Sequence, residues 1–270
     1  MAAYLAAAAL PLVAAVAQGR TSASWLAAHA AFLLATAWCA RSSGRGELAV
    51  LAPWLPLLLV PPLYTELPHV AAGLGLAMHD ARVIGWELAL FGDSPARTFA
   101  AHAPWRWLSE TLHAGYLSYY GVIFGPPLLL FARRRAMGER PFAECVFTVM
   151  LAFVCCYAVF VCFPVQGPWF QWPAPAVPAG PVRAAVERLL HAGSSRGTAF
   201  PSSHVAVSVA QTLVTLRHAR WAGAVCALCT VALALGAVYG GLHYGIDVVV
   251  GAGLGAVIGT VGPRVFRTLG

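Results

Sequence analysis

The stretch CVFTVMLAFVCCYAVFVCF, residues 145–163, contains no charged residue and lies between Glu144 and Pro164. A helix needs about 20 apolar residues to cross the hydrocarbon core of a bilayer, so this stretch predicts a membrane-spanning helix. Other apolar runs along the chain have a similar length and composition. They cover residues 2–17, 25–40, 48–64, 116–132, 202–216, 221–239 and 246–262. The sequence therefore predicts an all-α protein, a polytopic membrane helix bundle of about eight spans.

Two of these runs leave the number of spans open. The alanine-rich run 2–17 is also compatible with a signal peptide, although nothing positively charged precedes it. If it is not a span, the chain has about seven spans. The run 48–64 is the weakest because it contains Pro53, Pro56, Pro61 and Pro62, and proline interrupts helices.

The composition excludes several classes of protein. Of the 270 residues, 60% are hydrophobic and only 10% are charged, whereas an ordinary soluble domain has about 25% charged residues. This excludes a disordered chain, a coiled coil and a typical cytosolic enzyme. The net charge is +7, and the 17 basic residues, all arginines, are spread over the loops rather than gathered in one basic stripe. We therefore expect the lipid bilayer, and no nucleic acid, as a partner.

Two long connections separate the apolar runs and divide the chain. Residues 65–115 mix charged residues with tryptophans, which predicts amphipathic helices lying in the membrane interface. They separate the N-terminal transmembrane segments, residues 1–64, from the last five spans, residues 116–262; residues 263–270 form a tail. The second connection, residues 163–199, is rich in proline and aromatic residues at its start, and we expect a short helix near residues 182–191.

The arginines predict how the chain is oriented. Six of the seven arginines on one side of the predicted spans are spread over the two long connections. The other side, which the positive-inside rule makes cytoplasmic, carries Arg41, Arg45, Arg133, Arg134, Arg135, Arg140, Arg217, Arg220, Arg264 and Arg267. We therefore expect a multi-pass protein of the plasma membrane, with the two long connections on the extracytoplasmic side.

Two histidine-bearing segments reach that outer side in the predicted topology. The string Pro201, Ser202, Ser203, His204 begins the run 202–216. Proline favours the first turn of a helix, and the free amides of a helix N-terminus form an anion site, which makes Ser202 and Ser203 candidate phosphate-binding residues. Another string begins with His243 and ends, four residues later, with Asp247. Residues four apart share a helical face, so this carboxylate can hold the imidazole in one tautomer.

These two strings resemble the second and third motifs of the type 2 phosphatidic acid phosphatase superfamily. The resemblance implies that His243 is the nucleophile, Asp247 its orienting partner and His204 the acid that protonates the leaving oxygen. It also implies a membrane lipid substrate and neither a metal nor another cofactor. The run Leu117 to Tyr120, with Phe163 and Pro164, is most similar to the inositol phosphorylceramide synthase branch.

The chain departs from the superfamily pattern at three positions. Ala237 stands where the pattern has its phosphate-clamping arginine, Gly236 replaces a serine, and Ser203 replaces a glycine. An apparent first motif, Arg133 to Pro141, would lie across the membrane from His204, and we interpret it as accidental. A bound phosphate still needs hydrogen-bond donors, because each donor aimed at the transition state raises the reaction rate by a factor of about 10² to 10³. The candidates are Arg196, which we favour, and Gln166.

Three functions remain open at this point. The first is hydrolysis of a lipid phosphate ester through a phosphohistidine. The second is transfer of a phosphorylated headgroup to an acceptor alcohol, as in inositol phosphorylceramide or sphingomyelin synthases, which the missing arginine at Ala237 favours. The third is a non-catalytic transporter or scaffold. A transporter should show related halves, and the chain shows no internal repeat.

Overall fold

The computed structural model describes residues 1–42, 51–174 and 176–269, and apart from one isolated bridge between Val165 and Thr198 their regular structure is helical. The α-helices in chain order are α1 (Ala2–Ala17), α2 (Ser24–Ser42), α3 (Leu55–Leu58), α4 (Val60–Leu74), α5 (Asp80–Phe91), α6 (Pro95–His102), α7 (Arg106–Ala132), α8 (Arg134–Met137), α9 (Arg140–Cys162), α10 (Pro168–Gln171), α11 (Pro181–Gly193), α12 (Ser203–His218), α13 (Arg220–Tyr239) and α14 (Gly245–Leu269). A 3₁₀ turn, Ala52–Trp54, precedes α3.

Four helices of the described residues are long and apolar enough to cross a membrane. They are α7, α9, α13 and α14. The helices α1 and α2 are apolar but shorter. The prediction of an all-helical fold is therefore confirmed for the described residues, and the four candidate spans fit a membrane protein, whereas the predicted count of about eight spans is not confirmed.

The predicted span 48–64 is wrong as a continuous helix. Its first three residues, and Arg45 before them, lie outside the described residues. The rest forms the 3₁₀ turn, α3 and the first turns of α4, with prolines near the start of each piece. Proline has no amide hydrogen and clashes with the preceding turn, which breaks this apolar run.

The predicted span 202–216 corresponds to α12, which has 16 residues and lies mostly inside the protein. At about 1.5 Å per residue it measures about 24 Å, less than the hydrocarbon thickness of about 30 Å. It packs against α13, α14 and α9 at once. Its apolar side chains therefore contact other helices, which explains why an apolar run here does not produce a long span.

The region predicted to lie in the interface, residues 65–115, is helical but divided differently. The helix α4 extends into this region as far as Leu74, and α7 already begins at Arg106. The last residues of the region therefore belong to the same helix as the run 116–132. Between them lie the short helices α5 and α6. The expected short helix near residues 182–191 is present as α11.

The arginine-rich loop and the segment that contains His204 lie at opposite ends of α9. Residues Arg133 and Arg140 lie at its N-terminal end, whereas at its other end Phe163 packs on Phe200 with ring centroids 5.7 Å apart. A helix of 23 residues is about 34 Å long. The apparent motif from Arg133 to Pro141 is therefore remote from His204, as its interpretation as accidental requires.

Candidate active site

The N-terminus of α12 and the turn between α13 and α14 lie side by side. The amide of Ser202 donates a hydrogen bond to the carbonyl of Asp247 (3.0 Å), and the rings of His204 and His243 lie 5.7 Å apart, centroid to centroid. Helix α14 comes this close because of Gly251, where a Cβ atom would lie 2.6 Å from the Ser202 carbonyl oxygen. The structure thus brings together all three residues to which the sequence assigns catalytic roles.

The ring of His243 is held in one tautomer. Its Nδ1 atom lies 3.0 Å from the carbonyl oxygen of Ala199 and 3.4 Å from Oδ2 of Asp247. The Ala199 carbonyl oxygen can only accept, so Nδ1 carries the proton and Nε2 of the neutral ring has a free lone pair. Burial lowers the pKa of His243 to about 4, although the Ala199 hydrogen bond raises it. His243 is therefore neutral at pH 7, in the form that a nucleophile needs.

Asp247 bonds more closely to the turn between α13 and α14 than to the ring of His243. Its side chain is fully buried, and Oδ2 accepts a hydrogen bond from the amide of Tyr244 at 2.8 Å, shorter than its distance to His243. Oδ1 has no hydrogen-bond partner. The nearer acceptor for the imidazole is the Ala199 carbonyl, which the sequence does not reveal because a backbone oxygen leaves no trace in a motif.

His204 lies between two tyrosines of α7. Its Nε2 atom is 3.2 Å from the hydroxyl of Tyr116, and its ring packs on Tyr119 with centroids 4.5 Å apart. Its Nδ1 atom is buried without a hydrogen-bond partner. Sequence reasoning missed Tyr116, although it immediately precedes the Leu117 to Tyr120 run, because a tyrosine in an apolar helix is ordinarily a packing residue.

A cavity of about 300 Å³ opens onto both histidines. Most of its lining is aromatic or aliphatic, with scattered hydroxyl groups, as is common for pockets that hold small organic ligands. The part of the lining that the structure describes contains no arginine. It includes Val60, Tyr64, Tyr116, Tyr119, Tyr120, Phe153, Tyr157, Gln166, Trp169, Phe170, Leu189, Leu190, Ser194, Ser195, Thr198, Ser203, His204, Leu242 and His243.

The four candidate phosphate-binding residues lie in different surroundings. Ser203 and Gln166 line the cavity. Ser202 is fully buried and caps α12: its hydroxyl accepts from the Val205 amide, and its own amide is bonded to Asp247. Arg196, the residue that we favoured from the sequence, is exposed beside the cavity. Its guanidinium lies 5.1 Å from the ring centroid of Phe170, a lining residue.

The position of the missing clamp arginine has no room for a long side chain. Ala237 is fully buried and packs with Tyr116, Val186 and Leu242. Its carbonyl oxygen accepts the amides of Leu242 (2.9 Å) and His243 (3.1 Å). Ala237 therefore shapes the turn that presents His243 and supplies no charge to the cavity.

The chain is similar to a known protein family. A family model described as the PAP2 superfamily matches residues 81–261, a range that includes both histidines and Asp247. No curated protein and no solved structure matches the chain.

Proposed function

The chain belongs to the PAP2 superfamily, whose members are phosphatases or phosphotransferases, and from that premise we propose that it is a membrane phosphatase acting on a lipid phosphate ester. One observation carries the proposal. A buried imidazole with a free Nε2, His243, lies 5.7 Å, centroid to centroid, from another imidazole, His204, and both line the cavity. This is the arrangement that a nucleophile and its general acid need.

The reaction proceeds in two steps. Nε2 of His243 attacks phosphorus as the bond to the lipid oxygen breaks, and protonated His204 gives its proton to that oxygen, which leaves as an alcohol. His204 then takes a proton from water, whose oxygen attacks the phosphohistidine and releases phosphate and free His243. Burial and the neighbouring His243 lower the pKa of His204 to about 3. A bound phosphate is negatively charged and raises this pKa, so the proposed mechanism requires the phosphate to bind before His204 is protonated.

The surroundings of the cavity support a lipid as substrate. The helices α4, α7, α9, α10 and α11 all contribute aromatic or aliphatic residues to its lining, and α7 and α9 are two of the four helices able to cross a membrane. An acyl or isoprenyl chain matches such a lining. We further propose that the cavity faces the extracytoplasmic side of the plasma membrane, which the arginine distribution favours.

Transfer of a phosphorylated headgroup to an acceptor alcohol is the second candidate. The observation that favours it is the cavity lining, which within the described residues lacks an arginine, together with the packed Ala237 at the clamp position. A phosphodiester donor carries one negative charge, whereas a phosphomonoester carries about 1.5 to 2 at pH 7. A cavity of neutral donors discriminates against the more highly charged group.

The test uses the purified protein in lipid vesicles with labelled phosphatidic acid, isoprenyl diphosphate or phosphatidylinositol, in the presence of a chelator. Release of free phosphate from wild type, lost in His243→Ala, supports the proposal. A new phosphorylated lipid without free phosphate supports the transferase. A His102→Ala variant, which changes an exposed histidine that does not line the cavity, controls for handling. Full activity of His243→Ala would contradict both candidates, and no turnover of any substrate would favour a transporter or scaffold.

A further inference from the structure

Helix α5 carries two buried acidic side chains, Asp80 and Glu87. They are seven residues apart and therefore lie two turns apart on one face of the helix. Asp80 is 6% exposed and Glu87 is fully buried. Acidic residues are rarely buried to this extent without partners that justify the cost. The partners of these two side chains lie in the segments that form the candidate active site.

Asp80 connects two loops. Its Oδ2 atom accepts the amide of Gln166 (3.0 Å), and its Oδ1 atom accepts the amide of Gly167 (3.0 Å) and the hydroxyl of Tyr244 (3.1 Å). Gln166 lines the cavity, and Tyr244 follows His243 directly. One side chain thus fixes the loop beside the cavity relative to the turn that presents His243.

Glu87 holds the beginning of α14. Its Oε1 atom accepts the amide of Gly245 (3.1 Å), and its Oε2 atom accepts the amide of Ile246 (2.8 Å). The hydroxyl of Ser94 donates a further hydrogen bond to Oε1. A carboxylate at a helix N-terminus satisfies free amides and interacts favourably with the helix dipole, and hydrogen bonds to charged acceptors are stronger than neutral ones.

We propose that Asp80 and Glu87 are positioning residues for His243, and this rests on the proposed function. The amides of residues 244, 245 and 246 are bonded to Asp247 or Glu87, so three consecutive peptide units of the turn after His243 end on carboxylates. These bonds set where the imidazole stands relative to the cavity. A displacement of about 1 Å in a reacting group can lower a rate about 10²-fold.

A merely structural role predicts something different. If the two carboxylates only stabilise the fold, their removal lowers the melting temperature but leaves the turnover of each folded molecule unchanged. A positioning role lowers kcat in the folded fraction while KM, which depends on the lipid-binding lining, stays close to wild type. The reactivity of His243 itself also changes, because its ring moves or gains freedom.

The experiment compares Glu87→Gln and Asp80→Asn with wild type in vesicles, using the substrate that wild type turns over. Both replacements keep the size of the side chain but turn one accepting oxygen into a donor that opposes an amide. We expect kcat per folded molecule to fall about 10- to 100-fold and KM to change less than about threefold. Glu87→Asp, which restores the charge, should recover part of kcat. Unchanged kcat in both neutral variants would overturn the proposal.

The matched control is Glu144→Gln. Glu144 is 5% exposed and pairs with His218 (3.2 Å), close to the N-terminal end of α9 and far from the cavity. It should lose stability while kcat stays within about twofold of wild type. An equal loss of kcat in this control would show that burial alone explains the effect, and would overturn the positioning role.

Two further measurements keep the test independent of folding and of the proposed function. Tyr244→Phe removes only the hydroxyl that reaches Asp80, and it should lower kcat about threefold even if the neutral variants do not fold. An unchanged kcat in this variant would contradict the role of Asp80.

Carbethoxylation of His243 by diethyl pyrocarbonate, followed by mass spectrometry, needs no substrate. If wild type hydrolyses nothing, the proposed function fails, whereas an altered rate of His243 modification in Glu87→Gln still supports positioning and an unaltered rate refutes it.

Discussion

Acid should destabilise this protein through His243, a buried residue that is 5% exposed. Burial lowers its pKa from 6.5 to about 4. Between these two values the unfolded chain binds a proton that the folded chain does not, so the free energy of unfolding decreases as the pH falls below 6.5 and levels off near pH 4. The full loss from this residue is about 3 kcal/mol, because one pKa unit corresponds to about 1.4 kcal/mol.

Thermal unfolding of the detergent-solubilised protein at several pH values between 7.5 and 4.5 measures this effect. For a chain of this size, 1 kcal/mol corresponds to about 2 to 4 °C in Tm, so the acid-induced fall of Tm should be several degrees smaller in His243→Asn than in wild type. The exposed His102→Asn should behave as wild type does. Parallel curves for wild type and His243→Asn would refute the reasoning, because the proton uptake would then occur elsewhere.

Three other substitutions test the geometry of the cavity. Tyr116→Phe removes the hydroxyl 3.2 Å from Nε2 of His204. Since a net hydrogen bond contributes about 1 kcal/mol, we expect kcat to fall about fivefold with KM nearly unchanged in steady-state assays. An unaffected kcat would show that Tyr116 does not assist His204 as the general acid. Ala237→Arg places a cation in a fully buried, packed position. It should lower the melting temperature strongly, because an unpaired buried charge costs several kcal/mol. A stable and more active variant would contradict this expectation. Arg196→Ala should lower phosphate release less than threefold, because its guanidinium lies over Phe170 outside the lining; a loss of 100-fold or more would identify it as the clamp.

The parts of the fold that could be predicted from the sequence depend on local pattern. Apolar runs of sufficient length predicted α7, α9, α13 and α14, because a helix that crosses the hydrocarbon core needs a stretch of about 20 predominantly apolar residues. The same rule failed for α12, since a short helix surrounded by other helices is also apolar. Composition cannot distinguish lipid contact from protein contact.

Within the candidate site, the residues to which the sequence assigns catalytic roles belong to strings whose members lie four or fewer positions apart. Ser202, His204, His243 and Asp247 belong to short strings whose spacing has a chemical meaning. Asp80 was missed because its partners are the amides of Gln166 and Gly167 and a hydroxyl 164 residues away. Backbone amides are present at every position, so nothing in the sequence marks the ones that a distant carboxylate will bind.

The missed acids nevertheless follow a single physical rule. Glu110 on α7 accepts the amides of Val182 and Arg183 at the start of α11, as Glu87 does at the start of α14. In both cases an acid from one helix satisfies the free amides of another helix, where the dipole favours a negative charge. The first residues of α11 and α14 are thus held in place by carboxylates of other helices.

This use of carboxylates has a consequence for the chemistry at His243. Asp80, Glu87 and Asp247 all lie behind the turn that carries it, and the described cavity lining in front of it has no arginine. The negative charge of a phosphate group must then be balanced in the cavity by neutral donors and by protonated His204. If hydrolysis is the function, binding of the substrate and protonation of the general acid are therefore one coupled event. A site with an arginine clamp does not need that coupling, so on the proposed mechanism an alanine at position 237 makes the charge of the acid depend on bound substrate.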